Sequence, residues 1–232
     1  MASPSIVILA GAGISAESGL GTFRDEGGLW AQHRIEDVAT PEGFARNPQL
    51  VVDFYNARRA QAAEAEPNAA HRALARLEAE HAGDVLLVTQ NVDDLHEKGG
   101  SQTVVHMHGA LYSALCGACD HRWPAPLAMQ VGEACPSCGA PAARPDIVWF
   151  GEIPYQMERI EQALMRADIF VAIGTSGNVY PAAGFVQLAT HVGAHTVEMN
   201  LDPGENVTLF AEARAGKASE TVPAWVDEVL GT

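Results

Sequence analysis

The chain has 232 residues, 47% of them hydrophobic and 19% charged, with a formal net charge of −15, a size that buries a full core and leaves room for a smaller attached module. The charge argues against nucleic acid as partner, because phosphates would be repelled, and it tolerates cationic, lysine-rich protein segments. No apolar run approaches the roughly 18 residues of a membrane span, and Met1-Ala2-Ser3-Pro4-Ser5 lacks the basic start of a secretory signal, so a cytoplasmic monomer with no membrane partner is expected.

Residues 5–10, Ser-Ile-Val-Ile-Leu-Ala, predict a buried strand. Gly11-Ala12-Gly13-Ile14-Ser15-Ala16 follows, a G-x-G-x-x-[GA] turn whose glycines let the backbone approach a pyrophosphate at a helix N-terminus. Alone, that turn is equally a plain strand–helix connection. No acidic strand end comes about 20 residues later, as an ordinary dinucleotide fold requires, so hydride transfer loses ground. Instead the glycine-spaced segments 19–24 and 27–30 predict a loop over the ligand. From residue 22 to 66 no strand is expected, whereas Pro48–Glu64 and Ala69–Glu80 read as helices.

Residues 84–89 predict the next strand, and Thr89-Gln90-Asn91-Val92-Asp93 stands at its C-terminal end, where open α/β sheets bind ligands. Amide and carboxylate side chains there can bond a ribose and a carboxamide; the plainer reading is helix capping by Asp93 or Asp94. The strand over 103–106 runs into His106-Met107-His108-Gly109. A histidine at a strand end can act as a general base near neutral pH. Alternation puts both histidines on one side, and the residues alone do not choose between them.

Residues 112–144 are rich in Cys, Pro, Gly and Ala and contain Cys116-x2-Cys119-x15-Cys135-x2-Cys138. Four thiolates at this spacing suit one tetrahedral Zn2+, and with sulfur in every position no site remains for water, so the ion is expected to be structural. Helices over 155–166, 181–192 and 223–230 alternate with strands over 167–173 and 195–200, which end at Gly174-Thr175-Ser176 and Asn200-Leu201-Asp202. The expected fold class is α/β: a Rossmann-like doubly wound parallel sheet with a smaller zinc-ribbon and helical domain. Residues 1–30, 80–110 and 145–232 are assigned to the larger domain, and 31–79 and 111–144 to the smaller.

These motifs, together with Val148-Trp149-Phe150-Gly151-Glu152, occur in one order across nearly the whole chain, and that order resembles the sirtuin family, its bacterial class III type in particular. The resemblance implies NAD as co-substrate and the acylated lysine side chains of proteins as partners, meeting in the cleft between the domains. His108 would be the general base, Asn91 would hold the ribose region and Asp93 the nicotinamide carboxamide. The implied NAD site comprises Gly11, Ala12, Gly13, Ile14, Ser15, Glu17, Thr22, Phe23, Arg24 and Trp30, with Gln90, Asn91, Val92, Asp93, Gly174, Thr175, Ser176, Asn200, Leu201, Asp202 and Ala218. The substrate peptide would add as a strand between Val148, Phe150 and Gly151, read as part of a strand over 148–152, and Val179 in the segment 177–180.

In the implied reaction the acyl oxygen attacks C1′ of the nicotinamide ribose as nicotinamide leaves. A ribose hydroxyl, deprotonated by His108, then attacks the imidate, and the products are lysine, nicotinamide and O-acyl-ADP-ribose. Many sirtuins carry Pro-Asp before the Phe-Arg pair; here the residues are Gly21-Thr22, which weakens an inference of ordinary deacetylase preference. Tyr55 and Arg58 are three apart on a helix and share a face, so they can converge on one carboxylate. They are similar to the Tyr-x-x-Arg of class III sirtuins, which remove succinyl and malonyl groups, and Ala39 matches the small residue that leaves space in their acyl pocket. Two other functions fit the same motifs: an ADP-ribosyltransferase, and a non-catalytic module sensing NAD or ADP-ribose.

Overall fold

The structure is a computed structural model describing residues 3–21, 32–202, 204 and 207–232. In chain order its first half contains β1 (Ile6–Ala10), α1 (Gly13–Ala16), α2 (Ile35–Val38), α3 (Pro41–Arg46), α4 (Pro48–Glu64), α5 (Ala69–Glu80), β2 (Val85–Thr89), α6 (Leu95–Lys98) and β3 (Val104–His106). Then come β4 (Gly109–Cys116), β5 (Arg122–Pro124), β6 (Ala143–Ile147), α7 (Met157–Leu164), β7 (Ile169–Ile173), α8 (Phe185–His191), β8 (His195–Asn200), β9 (Glu212–Ala215) and α9 (Ala218–Leu230). No helix among the described residues is long and apolar enough to cross a membrane.

Six strands form a parallel sheet in the order β3-β2-β1-β7-β8-β9. β1 is buried along its whole length because helices cover both faces. Ile6, Ile8 and Ala10 join Leu74, Leu77, Val222 and Trp225 of α5 and α9. Val7 and Leu9, one residue out of phase, meet Ile160, Leu164 and Val186 of α7 and α8 on the other face. Each such aliphatic side chain contributes about 1.5–3 kcal/mol when fully buried. Since β1 pairs β2 on one side and β7 on the other, the chain leaves the sheet in opposite directions at its C-terminal edge, which opens a crevice there.

Between β1 and β2 the described residues contain helices alone, started by local signals. Thr40 accepts from the N–H of Gly43 with Pro41 in the first turn, and Asn47 accepts from Leu50 ahead of α4, again with proline behind the cap. Asn68 and His71 close a capping box on α5. α4 packs away from the parallel sheet, sending Val51, Phe54 and Tyr55 into a core with Val38, Leu111, Ile147 and Trp149.

The cysteine-bearing segment folds as the expected ribbon: β4, β5 and β6 form an antiparallel sheet in the order β5-β4-β6, in which β5 has only three residues and is mostly exposed. Two sequence expectations need correction. The strand expected over 148–152 is absent. β6 stops at Ile147 and the chain turns, with Gly151 at φ +93 and Glu152 N–H closing onto Trp149 O at 2.9 Å. α9 starts at Ala218 and carries Pro223 in its interior, because a side chain remote in sequence caps it: Glu17 accepts from Ser219 N at 3.0 Å and from its hydroxyl at 2.7 Å.

Candidate functional site

The C-terminal ends of β1, β2, β3, β7 and β8 converge on the crevice. The turn after β1 is pressed against the turn after β7. Gly13 N–H donates to Gly174 O at 2.8 Å, and a Cβ on Gly11 would lie 2.7 Å from that oxygen. Glycine is required here by backbone contact, and the approach leaves the start of α1 facing the crevice. Ile14, expected at the cofactor, sends its side chain into the core at 0% exposure and offers only its backbone.

Behind this turn the segment after β2 is locked into a polar network. Asn91 donates to Gly11 O and to Ser15 Oγ, both at 3.1 Å; Ser15 donates to Asp93 Oδ2 at 3.2 Å. Asp93 Oδ1 accepts from Leu95 N–H at 3.1 Å. Burial pushes the Asp93 carboxyl up, and its hydrogen bonds from Leu95 and Ser15 and the nearby Arg58 charge oppose that rise. With both amide hydrogens used, Asn91 Oδ1 is left as an acceptor with no partner among the described residues.

The two histidines that strand alternation could not separate differ in their partners. His106 is held at both nitrogens, Nδ1 3.2 Å from Asn91 O and Nε2 2.7 Å from Glu97 Oε1. His108 has one contact, Nδ1 to Gln90 O at 3.2 Å. A carbonyl only accepts, so Nδ1 of His108 carries the proton and Nε2 keeps its lone pair. Burial lowers the His108 pKa, against the opposing pull of the Gln90 carbonyl, which favours the neutral imidazole a base must be.

The other expected residues spread around the same edge. Gln90 donates to Thr175 Oγ1 at 3.1 Å, and Asn200 to Thr175 O at 3.0 Å. Ser176 accepts from Asn178 N–H at 3.3 Å. Leu201 and Asp202 are exposed, and Val92 turns into the core around Tyr55. Glu17 is engaged by Ser219, next to Ala218 at the start of α9. Thr22, Phe23, Arg24 and Trp30 lie outside the described residues.

On the other wall, Tyr55 and Arg58 share a face of α4, with the Arg58 guanidinium 5.9 Å from the Tyr55 ring centroid. Burial lowers the Arg58 pKa, with Tyr55 and then Asp93 working against the fall. Ala39, 4% exposed, belongs to the same core as Tyr55. Its carbonyl accepts from Phe150 N–H at 2.9 Å, while Val148 N–H donates to His108 O at 2.9 Å, so the loop after β6 bridges α2 and the histidine strand. Phe150 and Gly151 are exposed, and Val179 is half-buried across the crevice.

Sequence reading missed the brace behind this loop. Arg144 grips Glu152 through two bonds, 2.7 and 3.0 Å, and lies 3.5 Å over the Trp149 ring. Glu152 in turn accepts from Trp149 N–H at 2.8 Å. No periodic pattern announces such a pair eight residues apart.

The four cysteine sulfurs lie within 4.8 Å of one another, with Cys116–Cys138 at 3.7 Å and Cys119–Cys135 at 3.8 Å. A tetrahedral Zn2+ with Zn–S bonds near 2.3 Å places its sulfurs about 3.8 Å apart, so the cluster fits that ion and closes it to substrate. For NAD the fit rests on the glycine turn against Gly174 and on two acceptors, Asn91 Oδ1 and His108 Nε2, suited to sugar hydroxyls.

A parallel sheet with a phosphate-type turn, a buried histidine at the strand ends and a four-cysteine ribbon fits a zinc-binding, NAD-site class of α/β protein. The Sir2 family model matches residues 11–181. An NAD-dependent protein deacylase of Caulobacter vibrioides is 55% identical over 229 residues, covering 97% of this chain and 96% of the relative, and one from Vibrio parahaemolyticus is 56% identical, covering 97% and 95%. Among solved structures, a Sir2 homologue in complex with NAD superposes with a TM-score of 0.89 at 38% identity, covering 97% of this chain and 89% of that one. The chain belongs to the Sir2 family.

Proposed function

We propose that this chain, an NAD-dependent protein-lysine deacylase, removes succinyl and malonyl groups as well as acetyl groups. The observation that carries the dicarboxylic specificity is the pairing of Tyr55 and Arg58 on one face of α4, with the small Ala39 in the core that Tyr55 joins. A guanidinium with a phenol at its side matches an acyl chain that ends in a carboxylate.

NAD, when bound, supplies the electrophilic ribose carbon and the departing nicotinamide. Gly11, Ala12, Gly13 and Ser15 would hold its phosphates, with Gln90, Gly174, Thr175, Ser176 and Asn200 along the strand ends. Asn91 Oδ1 would accept from the ribose, and Asp93 would bond the carboxamide. His108 Nε2 would take the proton of a ribose hydroxyl. Val148, Phe150, Gly151 and Val179 would flank the substrate backbone. Cys116, Cys119, Cys135 and Cys138 would hold one Zn2+ as thiolates, the form a cytoplasmic setting favours. The acidic surface suits lysine-bearing substrates of a monomeric enzyme with no nucleic-acid or membrane partner.

The test incubates the protein with NAD and matched acetyl-, succinyl- and malonyl-lysine peptides. Arg58→Met is expected to abolish desuccinylation and demalonylation while largely sparing deacetylation. Equal loss of all three activities would refute the carboxylate role.

A further inference from the structure

His106 and His108 sit two residues apart at the end of β3 and take consecutive carbonyls of the segment after β2. His108 contacts Gln90 O and His106 contacts Asn91 O, each at 3.2 Å. Between them the fully buried Met107 fixes the backbone, its N–H donating to Thr89 O at 3.0 Å and its carbonyl accepting from Tyr155. From the other side Asn91 N–H is held by Thr89 Oγ1 at 3.0 Å. The side chain that faces the ribose in the proposed function therefore hangs from a peptide gripped at both ends, and one grip is His106.

We propose that His106, in its doubly protonated form, is a positioning residue that sets the Asn91 loop for catalysis, clamped in turn by Glu97. The protonation state follows from the partners: a carbonyl and a carboxylate both only accept, so both ring nitrogens must donate. Around the ring stand Glu97 and the buried His96 from α6 and Asp93 from the loop after β2. Arg122, Asp146 and Tyr155 line the same cavity of about 530 Å³ on the outer side. Asp146 is already satisfied by Ser113, Arg122 and Tyr155, leaving Glu97 as the carboxylate bonded to the imidazole. Burial disfavours the His106 charge, yet the Glu97 bond, with Asn91 O and Asp93, outweighs it and raises the pKa. Loss of the proton turns one nitrogen lone pair against an acceptor and releases either Glu97 or Asn91 O.

The inference rests on the assignment of Asn91 and His108, and the experiment separates the two. Deacetylation of an acetyl-lysine peptide is followed across pH with the zinc-loaded full chain. His106→Phe is expected to lower kcat by up to about 100-fold, the cost of a small misplacement of a reacting group, with KM for peptide nearly unchanged. His106→Asn, which keeps a donor toward Asn91 O but does not titrate, should recover much of kcat and lose the alkaline limb of the profile. Glu97→Gln removes the partner charge, lowers the His106 pKa and should move that limb to lower pH. Should His106→Phe fail to fold, the direction of the Glu97→Gln shift decides. Wild-type kcat in His106→Phe, or a limb that neither His106→Asn nor Glu97→Gln moves, would overturn the proposal. Turnover surviving in a parallel His108→Ala would instead reject the base assignment.

Discussion

Trp149 donates its indole N–H to the Tyr55 hydroxyl at 3.1 Å, joining the loop after β6 to α4 inside a closed core. The phenol oxygen is therefore an acceptor on one side and keeps its own proton to give on the other. Tyr55→Phe leaves the indole N–H buried and unpaired, a cost of about 1–3 kcal/mol. The expected outcome is a thermal midpoint lower by several degrees and a KM for succinyl-lysine peptide higher by about tenfold, the worth of one hydrogen bond to a charged group. KM for the acetyl peptide should hardly change. An equal rise for both peptides would confine Tyr55 to packing.

The parallel sheet was legible because its strands are short apolar runs that end in chemistry-bearing residues, and a strand buried on both faces needs no other signal. The Cys spacing was equally open, since a knuckle is a local motif. What escaped was built from long-range contacts. β5 is too short and too exposed to show a period, α9 is started by Glu17 from the opposite end of the chain, and the turn at Gly151 follows from the Arg144–Glu152 brace. Between His106 and His108, strand alternation makes no choice and the resemblance alone pointed to His108; in the structure Glu97, nine residues upstream of His106, distinguishes them.

The state of His108 makes a prediction about pH. Its pKa is lowered from the usual value near 6.5 by burial, and the proposed base role requires the unprotonated ring. On its acid side kcat/KM should thus hold through neutrality and fall as pH drops below about 6.5. His108→Ala should cost about 100-fold or more and lose that acid limb. An acid limb centred above 6.5 would contradict the buried, neutral ring.

The sulfur cluster makes a prediction about metal. One equivalent of zinc per chain is expected by elemental analysis, lost in Cys135→Ala. Cys116 ends β4 and pairs with Ala143 at the start of β6, and β6 leads directly into the loop proposed to flank the substrate. Stripping zinc should therefore abolish peptide turnover and lower the thermal midpoint, while far-UV circular dichroism retains the signal of the parallel sheet. A zinc-free protein with an unaltered midpoint would show that the thiolates carry no structural load.

His71 and His96 make the last prediction, and it concerns stability. Their rings meet edge to face with centroids 4.9 Å apart, both buried between α5 and α6. Among the described residues neither nitrogen of His96 has a hydrogen-bond partner, and His71 Nε2 has none, while His71 Nδ1 accepts from Asn68 N–H at the start of α5. Burial, helped by Arg72, lowers the His71 pKa to about 4, and burial beside His71 and His106 holds His96 well below its usual value. In the unfolded chain both titrate near 6.5, so between pH 6.5 and 4 the unfolded state binds more protons. Stability is therefore full above about 6.5 and falls as pH drops through that window, the His71 share of about 3 kcal/mol being lost by about pH 4. Urea midpoints measured from pH 7 to pH 5 avoid most carboxylate titration and should show the decline. His96→Leu, which keeps His71 and the Asn68 cap, should leave a shallower decline, and an unchanged slope in that variant would place the His96 share of the acid sensitivity elsewhere.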